Sequence, residues 1–168
     1  MQGCSSRTNS ANRLSRGKPK DHDVGVDDPF NLRRFVEAQQ GGFETAITEL
    51  NAGAKESHWM WFIFPQLKGL GRSTTAQYFA IASIAEARAY HAHPLLGPRL
   101  FRCVEAALGW ADRRTAECMF GSIDALKFRS CLTLFDVVEP ATVFEDALKS
   151  FYEGTRDERT LALLNGVR

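Results

Sequence analysis

The densest group of chemically capable side chains lies between Lys55 and Thr75, in the run KESHWMWFIFPQLKGLGRSTT. Within this run, His58 can exchange a proton near neutral pH, and the ring of Trp59 can hold a planar or cationic group. A histidine beside a stacking ring favours a ligand site. The same aromatic residues would also suit a hydrophobic core with His58 hydrogen-bonded locally, and the sequence leaves both interpretations open.

A short glycine-bracketed loop, GLGRS, follows this aromatic segment at residues 69–73. Glycines let backbone N–H groups turn toward an anion, while Arg72 offers a bidentate guanidinium and Ser73 a hydroxyl donor. Ser73 is also placed to cap the next helix. The spacing matches neither a Walker A loop nor GxGxxG, so nucleoside triphosphate chemistry is not predicted. The loop therefore predicts an anion site, although glycines also serve simply as turn residues.

A second polar group interrupts an apolar stretch at residues 122–131, SIDALKFRSC. Asp124 and Lys127 stand one helical turn apart, which suits an ion pair, and Arg129 lies among apolar neighbours. This group either is a solvated face or borders a cleft. We predict His58 as the candidate catalytic residue. The predicted ligand-binding residues are Gln39, Trp59, Gln66, Arg72, Ser73, Lys127 and Arg129.

Metal and cofactor chemistry find little support in the sequence. His91 and His93 are two residues apart, so they diverge on a helix, and no HExxH motif is present. The four cysteines form no Cys-x-x-Cys pair. We expect no metal and no cofactor, and the isolated cysteines predict a reducing cytoplasm.

Charge and hydropathy limit the partners. A net charge of +1 disfavours nucleic-acid binding, and no run approaches the roughly 18 apolar residues of a membrane span, so no membrane association is expected. Residues 1–27 hold five basic residues before the first acid and few apolar ones, which predicts a disordered basic tail. That tail would be an inert extension, a misassigned start, a transit peptide or a nucleic-acid arm.

Helix signals dominate from Asp28 onward. Amphipathic stripes, capping residues and short Gly/Pro loops predict an irregular all-α bundle of six to eight helices, forming a single domain over residues 28–168. One helix is expected to stop at Gly41-Gly42, and another begins at Phe43. Further helices are predicted from a Ser83 cap to about His93, from Pro98, from a Ser122 cap through Val138, along Val143–Phe151 and from a Thr155 cap. A small strand pair near Trp59–Phe64 is the main alternative to an all-helical fold.

The chain also resembles a bacterial domain-of-unknown-function family whose members are often labelled calpastatin. The resemblance covers about residues 28–164 and is carried by DPFNLRRF, KESHWMWFIFPQ, GLGRS, HPLLGPRL and FGSIDALK. It implies a mainly α-helical fold and supplies no established activity. Inhibitory segments of calpastatin are disordered, whereas this chain carries a full aromatic core, so we do not expect a calpain inhibitor.

Two functions follow as hypotheses. The first is binding of a small anionic or nucleotide-derived ligand, with hydrolysis of an N-glycosidic bond as one compatible reaction. The second is a non-enzymatic interaction module that uses the exposed part of the aromatic segment. Convergence of His58, Arg72 and Lys127 or Arg129 in one pocket would favour the first.

Overall fold

The computed structural model of the protein describes residues 27–166. Within that range the chain forms nine helices and no β-strand, so the predicted all-α class is confirmed and the predicted count of six to eight is too low. The predicted basic tail lies outside the described residues except for Asp27. The helices are α1 Arg33–Ala52, α2 Met60–Ile63, α3 Thr74–Tyr78, α4 Ile84–Ala92, α5 Leu96–Leu108, α6 Ala116–Phe120, α7 Ser122–Val138, α8 Val143–Tyr152 and α9 Glu158–Leu164.

The expected break at Gly41-Gly42 does not occur, because α1 runs through both glycines. A Cβ atom at position 42 would lie 2.6 Å from Cε2 of Phe62, so only glycine lets this ring pack against the helix. Glycine inside a helix costs about 1 kcal/mol relative to alanine. Packing of the aromatic ring offsets that cost, and α1 ends instead at Gly53, whose φ is 71°.

The aromatic segment is helical rather than extended, but only for one turn. α2 ends before Pro65, which disfavours helical geometry in the residue preceding it. The strand pair that the sequence left open near Trp59–Phe64 does not form there; one isolated parallel bridge joins Leu67 and Ile81, outside that segment.

The capping residues explain where several helices begin. Ser83 Oγ accepts from Glu86 N–H at 3.1 Å, as the capping pattern at the start of α4 predicts. The cap of α9 was predicted at Thr155, but the observed N-cap is Asp157. Its carboxylate accepts from the N–H of Thr160 at 2.8 Å. The short helix α6 is absent from the sequence-based prediction.

The buried apolar residues form one connected cluster around α7. This helix contributes a nearly continuous buried stretch from Ser130 to Asp136. Seven phenylalanines belong to the cluster, and five of their rings are fully buried: Phe35, Phe64, Phe128, Phe135 and Phe144. None of the helices in residues 27–166 has both the length and the hydropathy needed to cross a lipid bilayer.

A buried ion pair joins the first third of the chain to α4. Arg34 and Glu86 are 9% and 3% exposed, and Arg34 Nη2 donates to Glu86 Oε1 at 2.6 Å. The same guanidinium also donates to four backbone carbonyls, those of Phe30, Asn31, Tyr78 and Ala80. The other carboxylate oxygen of Glu86 accepts from Ala82 N–H. The pair therefore holds irregular backbone on both sides of Ile81.

Ile81 transmits this constraint to the glycine loop. Its N–H donates to Gln66 O and its carbonyl accepts from Lys68 N–H, both at 2.8 Å. The backbone at residues 66–68, which leads into the GLGRS loop, is thus tied to the segment that Arg34 holds.

Replacing Arg34 with methionine is expected to lower the free energy of unfolding by about 3–5 kcal/mol, because it leaves a buried carboxylate and several carbonyls without partners. Urea denaturation at pH 7 measures the change. Arg33→Met is the matched control, since Arg33 pairs with Glu37 at the surface, where both side chains are more than half exposed. The control should cost no more than about 1 kcal/mol, and equal losses in the two variants would contradict this account.

Candidate functional site

A cleft of about 510 Å³ opens between the glycine loop, α7 and the beginning of α9. That volume falls within the range of small-ligand sites. We call it the cleft throughout. It is lined by Trp61, Gln66, Leu70, Gly71, Arg72, Ser73, Ala76, Ile123, Leu126, Lys127, Arg129, Ser130, Asp157, Glu158 and Arg159.

The glycine loop forms one wall and is held in shape by its own hydrogen bonds. Gly69 has a φ of 102°, a conformation that favours glycine. Ser73 caps α3 as expected, because its Oγ accepts from Ala76 N–H at 3.1 Å. Gln77 Nε2 donates to the carbonyl of Arg72 at 3.0 Å, which fixes the backbone of that residue. The guanidinium of Arg72 itself is exposed and is joined to no carboxylate of the described residues.

Lys127 projects from α7 and is held by two contacts. Its Nζ lies 2.8 Å from Asp124 Oδ1 and 4.8 Å from the ring centroid of Trp61. Lys55 contacts the other oxygen of Asp124 at 2.9 Å, so two ammonium groups share one carboxylate. Burial tends to raise the pKa of Asp124, but hydrogen bonds from both lysines hold it below its ordinary value. One positive charge of this trio remains unbalanced beside the cleft.

Arg129 stands where α7 faces the start of α9, and its donors are poorly satisfied. Its closest carboxylate contact joins Nη2 to Asp157 Oδ1 at 3.8 Å, beyond hydrogen-bond distance. Its Nε is buried and has no hydrogen-bond partner among the described residues. Asp157 is meanwhile engaged through its other oxygen by the N–H and hydroxyl of Thr160. The guanidinium of Arg129, at the wall of the cleft, therefore has N–H donors that form no hydrogen bond with the described residues.

Five of the eight predicted site residues line the cleft: Gln66, Arg72, Ser73, Lys127 and Arg129. They are brought together from two segments that are distant in sequence, residues 66–73 and residues 127–129. The other three, Gln39, His58 and Trp59, are not among the residues that line it.

Trp59 and Gln39 lie in the protein interior. Trp59 is 1% exposed, and its indole N–H donates to Glu49 Oε2 at 2.7 Å. Gln39 is also 1% exposed and donates through Nε2 to the carbonyl of Phe62 and the hydroxyl of Tyr90. Both side chains therefore organise the core. His58 is exposed, and no ion pair or side-chain hydrogen bond joins it to the described residues.

Sequence reasoning did not select several residues of the cleft, notably Trp61, Ser130, Asp157 and Arg159. Side chains two positions apart on a helical turn point to different sides, so the sequence indicated that Trp59 and Trp61 would differ in burial, but not which of them would line the cleft. Asp157 and Arg159 carried no local signal. They reach the cleft only because α9 folds back across α7.

No group of three or more His, Cys, Asp or Glu side chains within residues 27–166 is arranged to hold a metal ion. The cleft itself contributes two carboxylates, from Asp157 and Glu158, and four cationic side chains. Positive charge is therefore in excess in the lining of the cleft, beside apolar side chains.

Comparison with known proteins places this helical fold in a family. Residues 29–164 match the family described as "Protein of unknown function (DUF1810)". The chain belongs to the DUF1810 family. The fold of this DUF1810 chain is similar to the crystal structure of the conserved hypothetical protein Rv1873 from Mycobacterium tuberculosis, with a TM-score of 0.79 and 46% sequence identity. The similarity covers 82% of this chain and 99% of that one.

No curated protein matches the chain. The DUF1810 description and the name of the similar structure assign no activity. Function must therefore be argued from the cleft.

The hydrogen bonds of Glu49 fix the segment before α2 and should make the free energy of unfolding depend on pH. It accepts hydrogen bonds from the N–H groups of Glu56 and Ser57, the Ser57 hydroxyl and the Trp59 indole. Partial burial tends to raise its pKa, but these bonds lower it from 4.5 to about 2. Its stabilising contribution is therefore complete above pH 4.5 and is lost as the pH falls through about 2.

Glu49→Gln should lower the free energy of unfolding at pH 7 by on the order of 2 kcal/mol and flatten its decline between pH 5 and pH 2. Urea denaturation across that pH range measures both effects. Glu44→Gln, an exposed position on the same helix, serves as the control and should keep the decline of the unchanged protein. A Glu49→Gln protein with an unchanged pH profile would rule out this anchoring role.

Proposed function

We propose that the cleft binds a small anionic ligand, of which phosphate-bearing, nucleotide-derived compounds are the class that fits best. The observation that carries the proposal is the state of Arg129. Its buried Nε has no partner, and its one carboxylate contact is 3.8 Å long. The Arg129 side chain is 27% exposed and its Nη groups donate no hydrogen bond to the described residues, so a ligand oxygen in the cleft would give this guanidinium an acceptor that the chain does not supply.

Arg34 is a structural arginine with which Arg129 can be compared. All five of its N–H donors find an oxygen acceptor, four on backbone carbonyls and one on Glu86. The side chain of Arg129 is also partly buried, but none of the N–H groups of its guanidinium forms a hydrogen bond with the described residues. The contrast supports a role for Arg129 toward something outside the chain.

Charge around the cleft supports the same proposal. Its lining carries four cations and two carboxylates, an excess of two positive charges in a chain whose total is +1. Arg72 and Arg159 have no ion pair with the described residues, so their charge is available. An anion entering the cleft would meet convergent positive groups at low ionic strength.

The alternative, an interaction module built on the aromatic segment, has less support. Trp59, Met60, Ile63 and Phe64 are each no more than 1% exposed, so most of the segment is core. Hydrolysis of an N-glycosidic bond stays a prediction of the sequence, because His58, the candidate for proton transfer, is not among the residues that line the cleft. The proposal is one of binding.

Isothermal titration with inorganic phosphate and pyrophosphate at low salt tests the proposal. Arg129→Met and Arg72→Ala should each weaken anion binding by about 10-fold or more, because each removes a charge-assisted hydrogen bond. Arg72 is exposed on a loop, so its removal leaves the fold intact. Added salt should weaken binding further through screening.

Arg88→Met is the control, since it removes the same charge from an exposed position on α4 that does not line the cleft. It should bind anions as the unchanged protein does. The proposal fails if neither anion binds the unchanged protein, or if Arg88→Met weakens binding as much as Arg129→Met does.

A further inference from the structure

The cleft contains an apolar surface that an inorganic anion would leave unused. Ile123 and Leu126 are 70% and 60% exposed, the most exposed large hydrophobic residues of the described chain. They are three residues apart on α7, so they share one face of that helix, and both line the cleft. Contiguous apolar surface rimmed by polar residues is a feature of ligand-binding grooves, whereas isolated exposed apolar side chains are ordinary.

Trp61 completes this apolar surface with a flat ring. It is partly exposed and lines the cleft, and it forms no aromatic pair with the other rings of the described residues. The ammonium of Lys127, itself held by Asp124, lies 4.8 Å from its ring centroid and helps to fix its position. Its indole N–H also has no hydrogen-bond partner among those residues. A fixed ring of this kind is suited to stacking.

Apolar and cationic side chains follow one another along the part of α7 that lines the cleft, in the order Ile123, Leu126, Lys127 and Arg129. Ile123 lies near the beginning of the helix, while Arg129 lies about 9 Å further along its axis, from the rise of 1.5 Å per residue. Arg129 faces Asp157, and Arg159 belongs to the same stretch of chain. A ligand that spans this stretch of the cleft would meet an apolar surface at Ile123 and a guanidinium at Arg129, with Lys127 between them.

Neutral hydrogen-bonding groups complete the lining. The hydroxyl of Ser73 accepts from Ala76 N–H and so keeps its proton for donation. The amide of Gln66 has no side-chain hydrogen bond within the described residues. Such neutral donors and acceptors suit the hydroxyl groups of a sugar.

From these observations, and resting on the proposed anion site, we propose that the ligand is a nucleoside monophosphate or a compound containing one. Its base lies against Trp61, Ile123 and Leu126, and its phosphate lies toward Arg129 and Arg159. An acidic peptide with apolar side chains has related chemistry. The volume of about 510 Å³ favours a small molecule over a peptide, which would need a longer groove.

Isothermal titration with AMP, GMP, CMP, UMP, ribose 5-phosphate and inorganic phosphate tests the inference. At least one nucleotide should bind about 10-fold more tightly than ribose 5-phosphate, the magnitude expected from stacking one base on an aromatic ring. Trp61→Ala should abolish that advantage while leaving ribose 5-phosphate binding within about twofold, because it removes the ring but none of the cations. Trp61→Phe should keep most of the advantage.

Leu126→Ser gives a second test at a position too exposed to threaten the fold. It should weaken nucleotide binding several-fold without changing ribose 5-phosphate binding. Phe101→Ser is its control, since Phe101 is 39% exposed on α5 and does not line the cleft. Phe101→Ser should leave both ligands unaffected, and circular dichroism checks that each variant is folded.

The outcomes distinguish failure of the nucleotide inference from failure of the anion site on which it rests. Equal affinity for all phosphates, each weakened by Arg129→Met, would overturn the nucleotide inference and leave the anion site standing. Absence of any phosphate binding would overturn both. Tighter binding of an acidic peptide than of every nucleotide would also overturn the inference, in favour of a protein partner.

Discussion

The buried pairing of Arg34 with Glu86 is the constraint on which the rest of this structure depends. Four N–H donors of the Arg34 guanidinium bond to backbone carbonyls, two from the chain before α1 and two from the chain just before Ile81. The fifth donates to Glu86. Helices are short in this region, so backbone groups there need partners from side chains. Ile81 then fixes residues 66–68, and through them the glycine loop that forms one wall of the cleft.

This network fixes the position of one wall of the cleft, while a second arginine, Arg129, contributes unpaired hydrogen-bond donors to it. Arg34 is fully coordinated inside the protein, whereas Arg129 is partly buried without matching acceptors. Interiors tolerate few unsatisfied donors, and those that persist in a well-packed protein are often found where a ligand binds. The two arginines thus differ in the number of oxygen acceptors around each and in exposure, since 8% of the Arg34 side chain is exposed and 27% of the Arg129 side chain.

Helix type and most boundaries could be predicted, because amphipathic spacing and capping are local properties. α7 is the clearest instance: a helix capped by Ser122 and running through Val138 was predicted, and the observed helix spans Ser122–Val138 with Gly121 as its N-cap. The predicted break at Gly41-Gly42 was wrong for a non-local reason, since Phe62 packs where a side chain at position 42 would stand. The cleft was only partly predictable: basic and polar residues beside glycine turns pointed to five of its members. Trp59 was chosen where Trp61 lines the cleft, because sequence cannot tell which of two neighbouring rings enters the core.

By itself, the sequence determined the all-helical class, the position of the aromatic segment and the presence of cationic residues with a capacity to bind anions. These follow from spacing, capping and side-chain chemistry, which act over a few residues. The tertiary structure alone decided that Arg72, Lys127, Arg129 and Arg159 meet in one cleft while His58 lies apart from it. The physical reason is that burial and convergence are set by packing of α7 against α9 and of the glycine loop beside it, over separations that no local pattern records.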